Sequence, residues 1–324
     1  MNTFKELLTK VKDLFEKENF VFEPRGLYDP IDYTLSLGGK RIRPVLLMAA
    51  NEMFGGKAEE VAHAALGIET FHNFTLLHDD LMDRSPIRRG MPTVFCKWND
   101  NTAILSGDTM FALAWRYFLR QPHSNLQTIL NTFNETAIEV CEGQQFDMDF
   151  ETRSDVTISE YIEMIRLKTA VLLAGALKIG ALYADAPAAD IEHLYQFGIH
   201  AGLAFQLQDD WLDSFGDTAT FGKQTGTDIK DNKKTYLFLK ALEQATPEQH
   251  NQLTLLFGNN PEDVDTKVKE VLSIYEKLNI RTLTEQAIEE EFHLAEESLN
   301  SIQLPEERKS TLYEISRSLL GRDK

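Results

Sequence analysis

Cysteine is scarce in this sequence, because its 324 residues include only two, Cys96 and Cys141. Neither belongs to a C-x-x-C pair, and both stand in helix-like apolar surroundings. A disulfide framework or a structural zinc site would need more cysteines at closer spacing, so the sequence argues against both. We expect a protein of a reducing, cytoplasmic environment.

Long apolar stretches are also missing. Lys, Arg, His or Asp interrupts the longest apolar runs, so none reaches the roughly 18 residues that a membrane-spanning helix needs. The chain begins with an amphipathic, charged segment that is typical of a surface helix rather than of a signal peptide. The sequence therefore predicts a soluble protein without a membrane span.

Basic residues are outnumbered, since 33 Lys and Arg accompany 51 Asp and Glu and give a net charge of −18. This charge disfavours a nucleic-acid-binding surface. Hydrophobic residues nevertheless make up 43% of the chain and recur along its whole length. That pattern argues against disorder and suffices for a sizeable core.

Convincing strand patterns are absent, and apolar residues instead recur at three- and four-residue steps, which indicates helices. The pattern is clearest in the segments 58–81, 101–120, 125–146, 158–183 and 190–213. Pro and Gly separate such segments, so we expect roughly a dozen helices joined by short links. Length alone suggests two domains, but no boundary is marked, so residues 1–324 are predicted to form one all-α domain.

Two motifs of the form Asp-Asp-x-x-Asp each end an apolar helical run. They consist of Asp79, Asp80 and Asp83, and of Asp209, Asp210 and Asp213. Residues four apart share one helix face, and neighbouring carboxylates are unfavourable unless a cation bridges them. Oxygen ligands favour Mg²⁺ or Mn²⁺ over zinc. Solvated helix ends are the alternative, but two copies after apolar runs favour two metal-binding helices that face each other across a cavity.

A basic loop follows the first motif. Pro86 and Gly90 enforce the loop, which presents Arg88 and Arg89 beside the aspartates. The planar fork of arginine suits phosphate oxygens. Simple Arg–Asp salt bridges are the alternative interpretation.

A second basic turn lies upstream, where Gly39 lets backbone approach a ligand closely. Lys40 and Arg43 follow at the start of a helix, and together they predict an anion pocket. Exposed helix caps would look similar. His72 precedes the first aspartate motif and becomes a hydrogen-bond donor if that pocket holds phosphate.

Downstream features add further cations. Lys168 and Thr169 interrupt an otherwise apolar helix, and a buried lysine there needs a partner that a phosphate would supply. The segment 221–235 contains glycines and several lysines. This composition indicates a lid that brings positive charge over a bound polyanion. An ordinary surface loop is the alternative.

Together these residues resemble the trans-isoprenyl diphosphate synthases of the polyprenyl synthetase family, of the short-chain geranylgeranyl or farnesyl diphosphate synthase type. The motifs match in order from about Leu37 to Lys234, as GGKRIRP, HDDLMD with RRG, GQQFD, LKTA, FQLQDDWLD and GKQTGTDIKDNKK. The resemblance implies an all-α bundle around a deep central cavity, usually in a homodimer. It implies a prenyltransferase that condenses isopentenyl diphosphate head-to-tail with a dimethylallyl, geranyl or farnesyl diphosphate. The resemblance also implies that this reaction depends on three Mg²⁺ ions in the active site, which Mn²⁺ could replace.

The resemblance also assigns roles. Asp79, Asp83 and Asp209 would be the chief magnesium ligands, with Asp80, Asp210 and Asp213 nearby or bridged by water. The allylic diphosphate would bind to Arg88, Lys168, Thr169, Gln206, Lys223 and Lys233, near Asp147. The isopentenyl diphosphate would bind to Gly39, Lys40, Arg43, His72 and Arg89. At Asn232 the chain departs from the family pattern, because prokaryotic relatives often have glycine there.

Product length should depend on the bulky side chains before Asp79, where the growing tail would run along the helix. Phe74 lies five residues back, about 7.5 Å along the axis, and Phe71 about 12 Å. Thr75 is small. In one branch of the family, aromatic residues at both the fourth and the fifth position before the motif accompany C15 products. A single aromatic residue at the fifth position, as here, accompanies C20 or sometimes C15 products, so a C20 product is slightly favoured over C15. Plain core packing of both phenylalanines is the alternative.

Two other functions compete. A class I terpene cyclase also ionises an allylic diphosphate, but it would normally lack the pocket that Lys40, Arg43 and Arg89 form. A non-catalytic subunit of a heteromeric prenyl synthase tends to lose one aspartate motif, and both are intact here.

Overall fold

The computed structural model describes residues 1–216, 226–258 and 264–320. The α-helices of these residues are α1 (Phe4–Lys17), α2 (Arg25–Ser36), α3 (Ile42–Met53), α4 (Ala62–Met82), α5 (Val94–Lys97), α6 (Asp100–Leu119), α7 (Leu126–Thr152), α8 (Ile158–Ile165), α9 (Val171–Tyr183), α10 (Ala188–Phe215), α11 (Thr227–Lys230), α12 (Tyr236–Gln244), α13 (Pro247–Gly258), α14 (Val264–Lys277), α15 (Ile280–Asn300) and α16 (Glu306–Leu320). A 3₁₀ turn (Ala58–Val61) precedes α4, and a π-helix (Arg166–Ala170) joins α8 to α9. The predicted all-α fold is confirmed.

The sequence pattern missed a small hairpin after α4. Strands β1 (Ile87–Arg88) and β2 (Met91–Pro92) pair antiparallel, with Ile87 opposite Pro92. The turn between them has positive φ at Arg89 (53°) and Gly90 (76°), the backbone geometry that two-residue hairpin turns require. The expected loop around Arg88 and Arg89 is therefore an ordered hairpin.

Side-chain caps fix several helix starts. Thr3 and Glu6 form a reciprocal capping box at α1, and Thr157 with Glu160 forms another at α8. The Asn99 side chain accepts from the Thr102 N–H at α6. Such caps satisfy backbone donors that have no partner within the helix, so they define where these helices begin.

The chain divides into two compact units. The first comprises Met1–Phe133, Gly175–Glu192 and Leu304–Ile315, and the second Asn134–Ala174, His193–Gln303 and Ser316–Lys324. The single-domain organisation stays a prediction.

In the first unit, α4 packs along α6. Gly67 allows the close approach, since a Cβ there would lie 3.1 Å from the Ala114 carbonyl oxygen. A buried apolar cluster around these helices includes Leu66, Leu77, Met110 and Tyr117. This core holds the end of α4 in place.

In the second unit, two glycines allow helices to press against the π-helix. A Cβ at Gly143 of α7 would lie 2.3 Å from the Lys168 backbone nitrogen, and one at Gly202 of α10 would lie 2.5 Å from the Ala170 Cα. Such distances are below van der Waals contact, so only glycine fits at either position. The two glycines therefore let α7 and α10 flank the Lys168 turn closely.

Two further observations concern the surface. Both cysteines are free and exposed, Cys96 on α5 and Cys141 on α7. Within the described ranges, no helix has the length and apolar character needed to cross a membrane.

Candidate active site

The first aspartate motif lies at the C-terminal end of α4. Asp80 is buried and Asp79 is half-buried. Asp83 caps the helix, because its backbone N–H donates to the Asp79 carbonyl at 2.9 Å. The hairpin brings Arg88 onto this end, where its Nε donates to both Asp80 carboxylate oxygens at 2.8 Å. Its Nη2 lies 3.5 Å from the Asp79 Oδ2. The predicted neighbourhood of Arg88 and the aspartates is therefore present.

The electrostatics of this cluster favour a cation. Burial raises the pKa of Asp80 to about 6, and Asp79 and Asp83 add to the increase, while Arg88 opposes it. A carboxyl group whose ionised form is disfavoured by burial and by like charges gains from each added positive charge. Arg88 therefore offsets only part of the rise in the pKa of Asp80.

The second basic turn packs against the same hairpin. Gly38 and Gly39 have positive φ, 76° and 124°, and the Arg89 guanidinium lies directly against Gly39, where a Cβ would be 2.6 Å from its Nη2. Arg89 also donates to the Gly38 carbonyl. Lys40 follows as an exposed residue. The φ of Gly39 favours glycine, because other residues are strained in this conformation, and the absent side chain leaves room for the guanidinium.

Arg43 and His72 complete this basic pocket, with 3.0 Å between Arg43 Nη1 and His72 Nε2. Burial lowers the pKa of Arg43 to about 10, and Arg89 contributes. Burial, followed by Arg43 and Arg89, holds the pKa of His72 well below its usual value, so the imidazole is neutral at pH 7. Within the described part of the chain, the buried Arg43 Nε has no hydrogen-bond partner. A bound anion would offset the repulsion between Arg43 and Arg89, and it would supply the acceptor that the Arg43 Nε lacks.

Sequence reasoning missed the residue that holds this turn. Arg41, 6% exposed, forms a buried ion pair with Glu69 at 2.8 Å and also donates to the Leu35 carbonyl. Its φ is 50°, in the left-handed region. No local signal distinguishes Arg41 from the adjacent Lys40, because only burial against α4 separates their roles.

The second aspartate motif lies near the C-terminal end of α10 in the second unit. Asp210 is 5% exposed and accepts hydrogen bonds from the Tyr161 hydroxyl and, at 3.1 Å, from the Gln206 Nε2. The Gln206 Oε1 accepts in turn from the Thr169 hydroxyl at 3.2 Å. Burial and Asp228 raise the pKa of Asp210 well above its usual value, and Asp209 adds to the rise. The predicted residues Thr169 and Gln206 therefore support Asp210.

Asp213 has a different environment from its neighbours. Its carboxylate accepts from the backbone N–H groups of Thr227 at 3.2 Å and Asp228 at 3.0 Å, at the start of α11. Burial raises the pKa of Asp228 to about 7, with Asp213 adding to the rise and Lys233 opposing it. Asp213 thus links the motif to the segment that carries Lys233. Asp228 escaped the sequence analysis because nothing in the pattern predicts its burial.

Lys168 lies on the π-helix and pairs with Asp147 at 2.6 Å. The sequence had indicated an ordinary helix here, with phosphate as the partner of the lysine. A π-turn inserts one residue into a helix and is frequent at functional sites. Lys223 lies outside the described residues.

An aromatic group surrounds the predicted chain-length positions. Phe71 is fully buried, and its ring contacts Phe74, Phe111 and Phe133 at centroid distances of 5.5, 5.7 and 5.3 Å. Phe74 stacks on Phe111 at 5.3 Å. Thr75 donates to the His72 carbonyl. Phe111 of α6 escaped the sequence analysis because only packing brings it beside α4.

The motifs fit a hard divalent cation, since both offer carboxylate oxygens and no thiolate. Among the described residues, no three His, Cys, Asp or Glu side chains converge as a ready-made metal cage. Mg²⁺ does not need one, because it usually keeps several waters and takes one or two carboxylates together with substrate phosphates.

The Tyr161 hydroxyl gives a first test of this site. We expect Tyr161→Phe to lower the free energy of unfolding by about 1–3 kcal/mol, because a buried oxygen of Asp210 loses its donor. Urea unfolding would measure the change. Tyr236→Phe, which alters another buried tyrosine of the same unit, is the control and should change the value by less. Equal values for the two variants would contradict the prediction.

Comparison with known proteins gives a consistent result. Residues 24–275 match the polyprenyl synthetase family. A geranylgeranyl diphosphate synthase from Methanosarcina mazei is 42% identical over 69% of this chain and 70% of that protein. A geranylfarnesyl diphosphate synthase from Natronomonas pharaonis is 40% identical over 69% of this chain and 71% of that protein. A crystal structure of a geranylgeranyl pyrophosphate synthase is 43% identical, with a TM-score of 0.95 over 100% of both chains. The chain therefore belongs to the polyprenyl synthetase family and is a trans-isoprenyl diphosphate synthase, a prenyltransferase.

Proposed function

We propose that this enzyme condenses isopentenyl diphosphate head-to-tail with a dimethylallyl, geranyl or farnesyl diphosphate, and that it releases a short all-trans polyprenyl diphosphate and diphosphate. One observation carries the proposal: the basic pocket of Arg43, His72 and Arg89 exists in addition to the aspartate cluster. A carboxylate cluster suits a metal-bound diphosphate, whereas a pocket in which arginines predominate suits a metal-free one. Two diphosphate substrates need both kinds of site.

The residues of the aspartate motifs would hold the metal. Members of the polyprenyl synthetase family generally use divalent metal ions, and we propose Mg²⁺, three per active site, with Mn²⁺ able to substitute. Asp79, Asp83 and Asp209 would be the chief ligands, and Asp80, Asp210 and Asp213 would support them. When bound, the cations would stabilise negative charge on the leaving diphosphate.

The basic side chains would share that task. Arg88, Lys168 and Lys233 would bind the allylic diphosphate and lower the cost of breaking its C–O bond, with Lys223 as a fourth group. The isopentenyl diphosphate would be oriented so that its double bond attacks the allylic cation. The residues that would orient it are Arg43, His72 and Arg89, with Lys40 and Gly39. The proton lost at the end would pass to the released diphosphate, so no side-chain base is needed.

The condensation assay tests this function. The purified chain, Mg²⁺ and labelled isopentenyl diphosphate are combined with each allylic diphosphate in turn, and the products are chromatographed. We expect elongated products that need both substrates. Product from the allylic diphosphate alone would instead indicate a terpene cyclase, and no product from the chain alone would indicate a non-catalytic subunit.

We also propose a C20 product in slight preference to C15. The Methanosarcina relative, a geranylgeranyl diphosphate synthase, supports C20, whereas the Natronomonas relative, a geranylfarnesyl diphosphate synthase, indicates that similar sequences extend the chain further. The half-buried Phe74, stacked on Phe111, would form the floor of the chain site, with Phe71 behind it and Thr75 leaving space.

Replacement of Phe74 tests the floor. We expect Phe74→Ala to lengthen the main product by one or more isoprene units, because removal of the ring opens space along α4. Mass spectrometry of the products would measure the change. Phe95→Ala removes a half-buried ring of the same unit that lies outside the Phe71–Phe111 group, so its product should keep the original length. An unchanged product from Phe74→Ala would refute the floor assignment.

The assembly and the location follow from the family resemblance alone. We propose a homodimer in the cytoplasm. Light scattering on the purified chain would measure the molar mass of the assembly.

A further inference from the structure

Lys267 is a buried cation for which the proposed chemistry has no use. It lies on α14 and is only 2% exposed, which is rare for lysine unless the ammonium group has partners. Its Nζ donates to the Asn232 Oδ1 and lies 5.3 Å from the centre of the Phe257 ring. The ammonium group is therefore held between an amide oxygen and an aromatic face.

Asn232 occupies the critical position of a turn. Its φ is 58°, in the left-handed region that asparagine tolerates better than most residues. The next residue, Lys233, donates its backbone N–H to the Asp228 carbonyl at 2.9 Å. The conformation of Asn232 therefore determines the direction in which the chain leaves α11 and presents Lys233.

Helix α14 contacts this segment at two further points. Gly226, with φ of 80°, sits against Val268, where a Cβ would lie 2.6 Å from the valine Cγ1. Lys230 Nζ lies 3.7 Å from the Asp265 Oδ1. A four-residue helix such as α11 has little stability of its own. Contacts with α14 must therefore fix its position.

We propose that Lys267 is a positioning residue for catalysis, which anchors the left-handed turn at Asn232 and so places Lys233 for binding of the allylic diphosphate. The proposal rests on the proposed function, in which Lys233 binds that substrate. Lys267 itself touches neither substrate. Its loss should therefore weaken the binding of one substrate selectively, whereas a merely structural role would affect both substrates or stability alone.

Lys267→Met is the test, because methionine keeps the length and packing against Phe257 but cannot donate to Asn232. We expect KM for geranyl diphosphate to rise about tenfold, with KM for isopentenyl diphosphate unchanged. Lys269→Met is the matched control, since Lys269 is an exposed lysine on the same helix, and both of its KM values should equal those of the wild type.

A second substitution provides the rescue. Glycine adopts positive φ without an anchoring side chain, so Lys267→Met combined with Asn232→Gly should restore most of the lost affinity. If Lys267→Met fails to fold, Asn232→Ala removes the same hydrogen bond from the other side and should raise the same KM.

The outcomes separate the two proposals. A wild-type chain without condensation activity would refute the proposed function. An active wild type whose Lys267→Met variant keeps its KM for geranyl diphosphate, or loses affinity for both substrates equally, would overturn the positioning role. Absence of rescue by Asn232→Gly would overturn it as well.

Discussion

Asp79→Ala and Asp209→Ala are each expected to lower kcat/KM for condensation by about 10³-fold or more, because each removes a proposed ligand of the cations that stabilise the leaving diphosphate. The structure gives the two aspartates similar exposure, since both are half-buried beside a buried neighbour, Asp80 or Asp210. Neither change removes the hydrogen bonds of that neighbour. The variants should therefore fold normally and fail in chemistry.

The measurement is a steady-state assay with varied Mg²⁺, alongside thermal unfolding of each variant. Asp108→Ala is the control, because Asp108 is an exposed aspartate of α6 outside both motifs. Its rate should equal that of the wild type. Condensation at the wild-type rate by either Asp79→Ala or Asp209→Ala would show that the metal assignment is wrong.

Gly143→Ala is expected to have the second large effect. A Cβ at this position would lie 2.3 Å from the Lys168 nitrogen and 2.7 Å from the Leu167 carbonyl carbon, and both are backbone atoms that cannot rotate away. Helix α7 would have to separate from the π-helix, at a cost of about 3 kcal/mol in the free energy of unfolding. Displacement of Lys168 by about 1 Å would also lower kcat/KM by about 10²-fold.

Urea unfolding and steady-state kinetics below the unfolding transition would measure both effects. Gly26→Ala is the matched control, since nothing lies within 4 Å of a Cβ there and its φ is not positive. Alanine in that helix should be neutral or should stabilise by about 0.5–1 kcal/mol. A Gly143→Ala variant as stable and as active as this control would refute the close packing of α7 against the π-helix.

Much of the site was predictable because its signals are local. The aspartate motifs, the hairpin arginines and the glycine turn each lie within a few residues, so a helical period and a turn pattern suffice to place them. The segment 190–213 became α10, Ala188–Phe215, and 101–120 became α6, Asp100–Leu119. Their apolar periodicity is strong, and short links leave little freedom at the boundaries.

The residues that sequence reasoning missed depend on distant partners. Arg41 differs from Lys40 only because Glu69, 28 positions away, lies beside it in the core. Tyr161 supports Asp210 across 49 positions, and Phe111 joins Phe74 only through the packing of α6 on α4. The expectation of one continuous helix over 158–183 missed the π-helix, because contacts at Gly143 and Gly202 are not visible in the local pattern.

The sequence by itself therefore determined the helical fold class, the two carboxylate motifs and the basic turns, since composition and short-range periodicity encode them. Tertiary structure alone decided which charges are buried, which aspartates accept from protein donors, and that Lys267 donates to Asn232 in the turn before Lys233. The physical reason is that burial and pairing depend on contacts between residues far apart in the chain, and a pattern of neighbours carries no information about those contacts.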